Sequence, residues 1–311
     1  MQRAAYKSPE KHRRVGAVLR NFAGIVMMCL LTGCTPASPL NAVARSGPWR
    51  VASGLSYAEG ARHQLDVYTP EGANDAPVVV FFYGGNWESG ERSTYRFVAA
   101  ALAGRGIVTV VPDYRVYPQV KFPGFLEDGA QAVAWVKQNV ERYGGSADKI
   151  FLMGHSAGAH IAAMLALDGH WLAKEGLDPR RDIAGLIGIS GPYDFLPLTD
   201  PTLKIIFAGG DIKNTQPITF VAAHEPPALL VTGRNDHVVD PGNTVRLAAS
   251  LRQHGDRVTE KTYPYIGHIS MIGAFSPVLR WLAPVLRDVE NFIAVTASQS
   301  KTARQAPRAG T

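Results

Sequence analysis

The sequence predicts an α/β fold: a mostly parallel central sheet of about eight strands with helices on both faces. Two observations carry this expectation. From about residue 49 to 295, short β-branched runs alternate with longer amphipathic stretches, the pattern of parallel strands joined by crossover helices. Hydrophobic residues form 46% of the 311-residue chain and charged residues only 19%, against about 25% charged in ordinary globular chains, so much of the chain must be buried. No internal repeat interrupts the alternation.

In chain order, Trp49–Tyr57 and His63–Thr69 read as two opening strands joined in a hairpin through Glu59-Gly60-Ala61. Val78–Tyr83 is a continuous apolar run of the buried-strand type. A helix near Thr94–Ala103, a strand at Ile107–Val111 and a long helix near Phe125–Tyr143 follow. The strand Ile150–Gly154 then runs without a gap into a helix, Ala157–Leu167. Ile183–Ser190 and Ala228–Thr232 are strands, Pro241–His254 is a helix with proline at its start, and Arg257–Tyr263 is the last strand. A final helix is expected over about Pro277–Ala294. Between strands six and seven, residues 192–226 lack a clear period and are rich in proline, long enough for a small cap over a site. The α/β domain is thus expected over 49–296, with a polar, disordered tail over 297–311.

The formal net charge of +6 does not point to nucleic acid, because it sits at the ends. Residues 1–33 carry six basic residues against Glu10, and the chain after residue 298 carries three with no acid. The body between has 23 basic and 25 acidic residues, so it has no reason to seek a phosphate backbone.

Lys7 to Arg20 is a positively charged stretch, and Phe22 to Leu31 is an apolar run of signal-peptide length, too short to span a bilayer. Directly after it, Leu31-Thr32-Gly33-Cys34 resembles the lipobox of bacterial lipoproteins, in which the chain is cut before the cysteine and the thiol carries a diacylglycerol. The resemblance implies a signal peptide over 1–33, lipidation of Cys34 and a tether over 34–48. Thr35, rather than aspartate, after the cysteine implies the periplasmic face of the outer membrane. Cys29 would leave with the signal, so cysteine chemistry is excluded as the mechanism.

Gly154-His155-Ser156-Ala157-Gly158 fits the G-x-S-x-G turn that raises a serine hydroxyl between a strand and a helix, and here an apolar strand leads into it and a small-residue helix leaves it. A serine nucleophile needs a base, and the base an acid to orient it. In this fold the order is serine, acid, histidine. His268 follows the last strand, where ligand sites of open α/β sheets lie, and is the expected base. Asp236 follows the preceding strand, separated from His268 by one helix and one strand, and is the expected acid; Asp240 is the alternative. His237 competes as a loop histidine but reads better as the neighbour of Asp236, and His224 and His254 are expected to be inert. The oxyanion donors are expected to be the backbone N–H groups of Ala157, Gly85 and Asn86, the last two on the Tyr83-Gly84-Gly85-Asn86-Trp87 loop, whose glycines let amides approach a substrate oxygen.

With these motifs, residues 50–290 resemble the α/β-hydrolase superfamily: its esterase and lipase branch with a His-Gly-Gly-Gly loop, and the bacterial feruloyl-esterase-like and kynurenine-formamidase-like groups with His-Gly-Gly-x-Trp. Pro112-Asp113-Tyr114-Arg115-Val116-Tyr117-Pro118 is similar to the Asp-Tyr-Arg-Leu-x-Pro run of these enzymes, and Phe122-Pro123 leads to Asp128 and Trp135 in the same way. The resemblance implies Ser156 as nucleophile, His268 as general base and acid, and Asp236 as the orienting acid. Tyr83 departs from the family histidine that braces the loop, and a tyrosine hydroxyl could do similar work. Asn86 replaces a small residue, and its side-chain amide could add a donor. Trp87 is expected to wall the substrate pocket. Asp113 with Arg115 reads as a structural pair, and Asp194 receives no role.

No metal-ligand spacing, P-loop or dinucleotide fingerprint is present in the sequence, and no cofactor is expected. The expected function is a lipid-anchored serine carboxylesterase of the cell envelope acting on a small-molecule ester. A formamide or amide hydrolase with the same triad, and a silent scaffold lipoprotein, remain as rivals at this point.

Overall fold

All eight apolar runs become strands of one sheet: β1 (Trp49–Ser56), β2 (Gln64–Pro70), β3 (Ala76–Phe82), β4 (Val108–Pro112), β5 (Gly145–His155), β6 (Gly185–Ile189), β7 (Ala228–Gly233) and β8 (Val258–Tyr263). The computed structural model describes residues 38–44, 46–208 and 212–305. The expected signal segment and Cys34 lie outside the described residues. The sheet order is β1-β2-β4-β3-β5-β6-β7-β8. β2 pairs antiparallel with both β1 and β4, and every other neighbouring pair is parallel. The inner strands β4, β6 and β7 are buried at every position, which is why they read as continuous apolar runs. The edge strands β1 and β8 are mostly half-buried or exposed.

The helices, in chain order, are α1 (Ser38–Val43), α2 (Arg96–Ala103), α3 (Gly124–Asn139), α4 (Ala157–Leu167), α5 (His170–Ala173), α6 (Pro179–Asp182), α7 (Pro201–Ile206), α8 (Gly242–Gln253), α9 (His268–Gly273) and α10 (Val285–Gln305). α4 is buried along its whole length, as expected of a helix apolar on all sides. Several assignments differ from the sequence reading. α1 forms where a tether was expected; the Asn41 side chain accepts from the Phe97 N–H and donates to the carbonyls of Ser93 and Thr94, satisfying an orphan amide at the start of α2. The last helix begins after Pro284 rather than at Pro277 and continues to Gln305, through residues expected to be disordered. Val285, Val289, Ile293 and Ala297 explain the extension, since their four-residue spacing buries one stripe against the core. The short α5 and α6 were not foreseen; α6 is set by Asp178, which accepts from Arg180 N–H, and by Pro179 in the first turn.

The insert after β6 is held by buried polar side chains. Gln216 accepts from Phe195 N–H, His160 on α4 meets the Thr215 carbonyl at 2.8 Å, and Asn243 on α8 accepts from the N–H groups of Tyr193 and Asp194. It is tied to the core at two points, His160 and Asn243, and braced internally by Gln216.

Candidate active site

Ser156 stands between β5 and α4 with φ 56° and ψ −125°, a strained conformation for a residue with a side chain. Its flanking glycines are required by contact. A Cβ on Gly154 would lie 2.1 Å from the Gly158 carbonyl oxygen, and one on Gly158 would lie 2.1 Å from the Phe82 carbonyl oxygen. Gly84 brings the loop after β3 against Ser156, since a Cβ there would meet the Ser156 Cβ at 2.9 Å.

Asp236 and His268 meet directly: His268 Nδ1 donates to Asp236 Oδ2 at 2.8 Å, with both residues buried. The other carboxylate oxygen accepts from the N–H groups of Val238 and Val239. Burial by itself raises the Asp236 pKa, but the His268 hydrogen bond and the two amides outweigh it and hold the carboxyl below its ordinary value. The two supporting loops are joined main chain to main chain, with Asn235 N–H donating to the Ile266 carbonyl. A Cβ on Gly233 would strike that same carbonyl at 2.2 Å. His268 is the first residue of α9 rather than a loop residue; the Ser270 hydroxyl accepts from Gly267 N–H and starts that helix.

The link to Ser156 runs through its neighbour. His155 Nε2 lies 3.3 Å from the His268 carbonyl, and the two imidazole rings are 4.7 Å apart. Burial pushes the His155 pKa down to about 3, so it is neutral. No hydrogen bond from the Ser156 hydroxyl is present among the described residues; in unliganded sites such bonds are often long and tighten with substrate.

The rival acid and bases are otherwise engaged or exposed. Asp240 faces Arg246 and accepts from Gly242 N–H. His237 and His224 are exposed, and the exposed His254 bonds to the Ser250 carbonyl.

Ala157, Gly85 and Asn86 offer backbone N–H groups with no backbone partner among the described residues. Gly85 has φ 144° and Asn86 φ 57°. The Asn86 side-chain amide is not free to serve as the extra donor expected beside Ser156; it donates to Glu88 at 2.6 Å. Tyr83 braces this loop from below. Its hydroxyl donates to Asp113 Oδ1 at 2.8 Å and accepts from Arg62, its carbonyl accepts from the Tyr114 hydroxyl, and its ring stacks between Tyr95 and Tyr114. Asp113 and Arg115 do not pair with each other. Asp113 binds Arg92 and Tyr83, whereas Arg115 forks onto the fully buried Asp128. Arg62 and Arg92 have no sequence signal, since their partners are 21 to 52 residues away along the chain.

Ser156 opens into a cavity of about 380 Å³. Trp87, Phe195, Leu198 and Leu203 form an apolar side, and Asp194, Asp240, Asn243 and Arg246 a polar one. Trp87 is packed by Phe195, Phe207, Phe125 and His160. Asp194, left without a role by the sequence, binds Arg246 at 2.5 Å. Among the described residues no group of three or more His, Cys, Asp or Glu is placed to hold a metal ion, and no helix is long and apolar enough to cross a membrane.

Comparison with known proteins agrees with this architecture. The probable isoprenylcysteine alpha-carbonyl methylesterase of Oryza sativa subsp. japonica is 39% identical over 231 residues, which cover 66% of this chain and 54% of the relative. A kynurenine formamidase of Salmo salar is 34% identical over 145 residues, covering 46% and 47%. The chain spans about half the length of these relatives. The structure of esterase B from Lactobacillus rhamnosis superposes with a TM-score of 0.74 at 19% identity, over 93% of this chain and 99% of that one. The BD-FAE family model matches residues 65–251, the span that runs from β2 through the serine elbow and Asp236 to the end of α8, so the chain belongs to the BD-FAE family and has the α/β-hydrolase fold.

Proposed function

We propose that the protein is a serine carboxylesterase, anchored in the bacterial cell envelope by lipid on Cys34. The observation that carries the catalytic reading is the strained Ser156 elbow beside the buried Asp236–His268 pair. Ser156 Oγ attacks the ester carbonyl while His268 Nε2 takes its proton, and the Asp236 hydrogen bond fixes the imidazole tautomer and stabilises the imidazolium. The amides of Ala157, Gly85 and Asn86 receive the oxyanion. The alcohol leaves with the proton from His268, and water then enters by the same route to release the acid and free the serine. Trp87 and the apolar side of the cavity receive one part of a small or medium ester.

Hydrolysis of p-nitrophenyl esters of increasing acyl length, beside the Ser156→Ala variant, tests the reading. Turnover that disappears in the variant supports it, and turnover unchanged in the variant overturns it. A second reading, formamide or amide hydrolysis by the same residues, is favoured by the formamidase relative. It predicts faster turnover of N-formyl aryl amines than of any ester in the series.

A further inference from the structure

The three most exposed large apolar side chains among the described residues are Tyr265 at 90%, Val238 at 71% and Ile269 at 70%. Isolated apolar residues at a surface need no explanation, but these three cluster on the site. Val238 gives its N–H to Asp236, Ile269 follows His268, and Tyr265 precedes Ile266, whose carbonyl joins the two loops. All three therefore lie at the end of the sheet where Ser156 opens.

An independent observation concerns where the chain enters. Asn41 fixes α1 to the carbonyls of Ser93 and Thr94 and to the start of α2. The neighbouring Tyr95 hydroxyl donates to the Gly84 carbonyl, and Gly84 touches Ser156. The chain thus arrives at the active-site end. Three residues lie between Cys34 and Ser38, so the four chain steps reach at most about 14 Å when fully extended.

We propose that the active-site end is the membrane-facing surface of the protein, with Tyr265, Ile269 and Val238 entering the interfacial layer of a lipid bilayer, so that the site takes esters resident in the lipid phase. This rests on the reading of Cys34 as the lipidated residue and of Ser156 as the nucleophile. A lipid held within that reach makes the second contact intramolecular, with an effective concentration in the millimolar range. A small apolar patch is then enough to set orientation, since its contribution scales with the area it removes from water.

The test uses the full-length lipidated protein in phosphatidylethanolamine/phosphatidylglycerol vesicles. An environment-sensitive fluorophore is placed at Ile269→Cys and, as control, at Glu71→Cys, an exposed site just beyond β2 at the opposite end of the sheet. The probe at 269 is expected to shift to the blue and to be quenched by spin-labelled lipid several-fold more than the probe at 71. A Tyr265→Asn/Ile269→Asn double variant is expected to lose roughly tenfold in turnover of a vesicle-embedded long-chain ester, with p-nitrophenyl acetate hydrolysis unchanged. Equal quenching at 269 and 71 in membrane-bound protein overturns the orientation and leaves the anchor standing. Equal loss on both esters also overturns it, because the two side chains would then serve the site itself. Wild-type protein that partitions into water like Cys34→Ala overturns the anchor and the proposal together. Failure of the wild type to outperform Ser156→Ala on either ester overturns the hydrolase reading, and with it the claim on lipid-phase esters, while quenching still reads the orientation.

Discussion

His155 donates from Nε2 to the backbone carbonyl of His268 at 3.3 Å, with the two rings in contact. The residue before the proposed nucleophile therefore holds the main chain of the proposed base. Because His155 Nε2 is the donor, Nδ1 carries the lone pair, and it is buried without a partner. The ring is too strongly desolvated to charge, so it adds no positive charge beside the imidazolium that the proposed mechanism forms on His268.

Replacing His155 by phenylalanine keeps the ring and removes the donor. The expected result is a fall of roughly fivefold in kcat, the worth of one neutral hydrogen bond, with KM unchanged. His155→Gln, which retains a side-chain N–H, is expected to recover most of the loss. Steady-state kinetics on p-nitrophenyl acetate check this. A purely packing role would instead leave the glutamine variant as impaired as the phenylalanine.

Asp236→Asn is expected to lower kcat by about 10⁴, and Asp240→Asn, whose parent carboxylate lines the cavity but is hydrogen-bonded to Arg246 and the Gly242 amide rather than to His268, to leave it within about twofold. The Asp236 carboxyl also contributes to folding. Its folded pKa lies below its ordinary value, so the contribution is complete above about pH 4, the unfolded aspartate value, and is lost as pH falls through the folded pKa. The thermal stabilities of wild type and Asp236→Asn should converge below that pH.

The sheet, the elbow and the Asp236–His268 pairing were legible because each is written locally: apolar runs for strands, Gly154 and Gly158 around Ser156, and one helix and strand between acid and base. What escaped the sequence depends on contacts distant along the chain. Arg62 finds Tyr83 and Gly90 only once β2 lies beside β4. The Asn86 side chain escaped for a local reason, since its amide is taken by the Glu88 carboxylate two residues away. The last helix was cut short for a different reason, since its polar C-terminal turns mask the stripe through Ala297.

Two buried neutral histidines make stability depend on pH in a defined window. Desolvation lowers His155 to about 3 and His160 to about 4. Below about pH 6.5 the unfolded chain takes up protons that these folded rings refuse, so stability falls with acidification, by about 1.4 kcal/mol per pH unit for each ring at full slope, until the folded pKa is reached. His160→Asn, which can still donate to the Thr215 carbonyl, should flatten the pH 4–6.5 limb by half. Chemical denaturation at several pH values measures the slope, and an unchanged slope would show that His160 is not part of it.

Trp87 lines the apolar side of the cavity. It is buried, stacked on Phe195 at 6.0 Å and met edge-on by Phe207 and His160. Trp87→Leu removes the outer ring and leaves the branched stem against Phe125, so the cavity lengthens without losing its floor. The ratio of kcat/KM for octanoyl over acetyl esters is expected to rise roughly tenfold, since each added methylene that finds buried surface is worth about 0.8 kcal/mol. Stability should fall by about 2 kcal/mol, less than the about 3–5 kcal/mol of a full Trp→Ala truncation. Part of the loss is returned, because the Trp87 indole N–H is buried without a partner and its removal relieves a desolvated donor. A variant that loses activity equally on all chain lengths would place Trp87 in support of the oxyanion loop and not in the acyl wall.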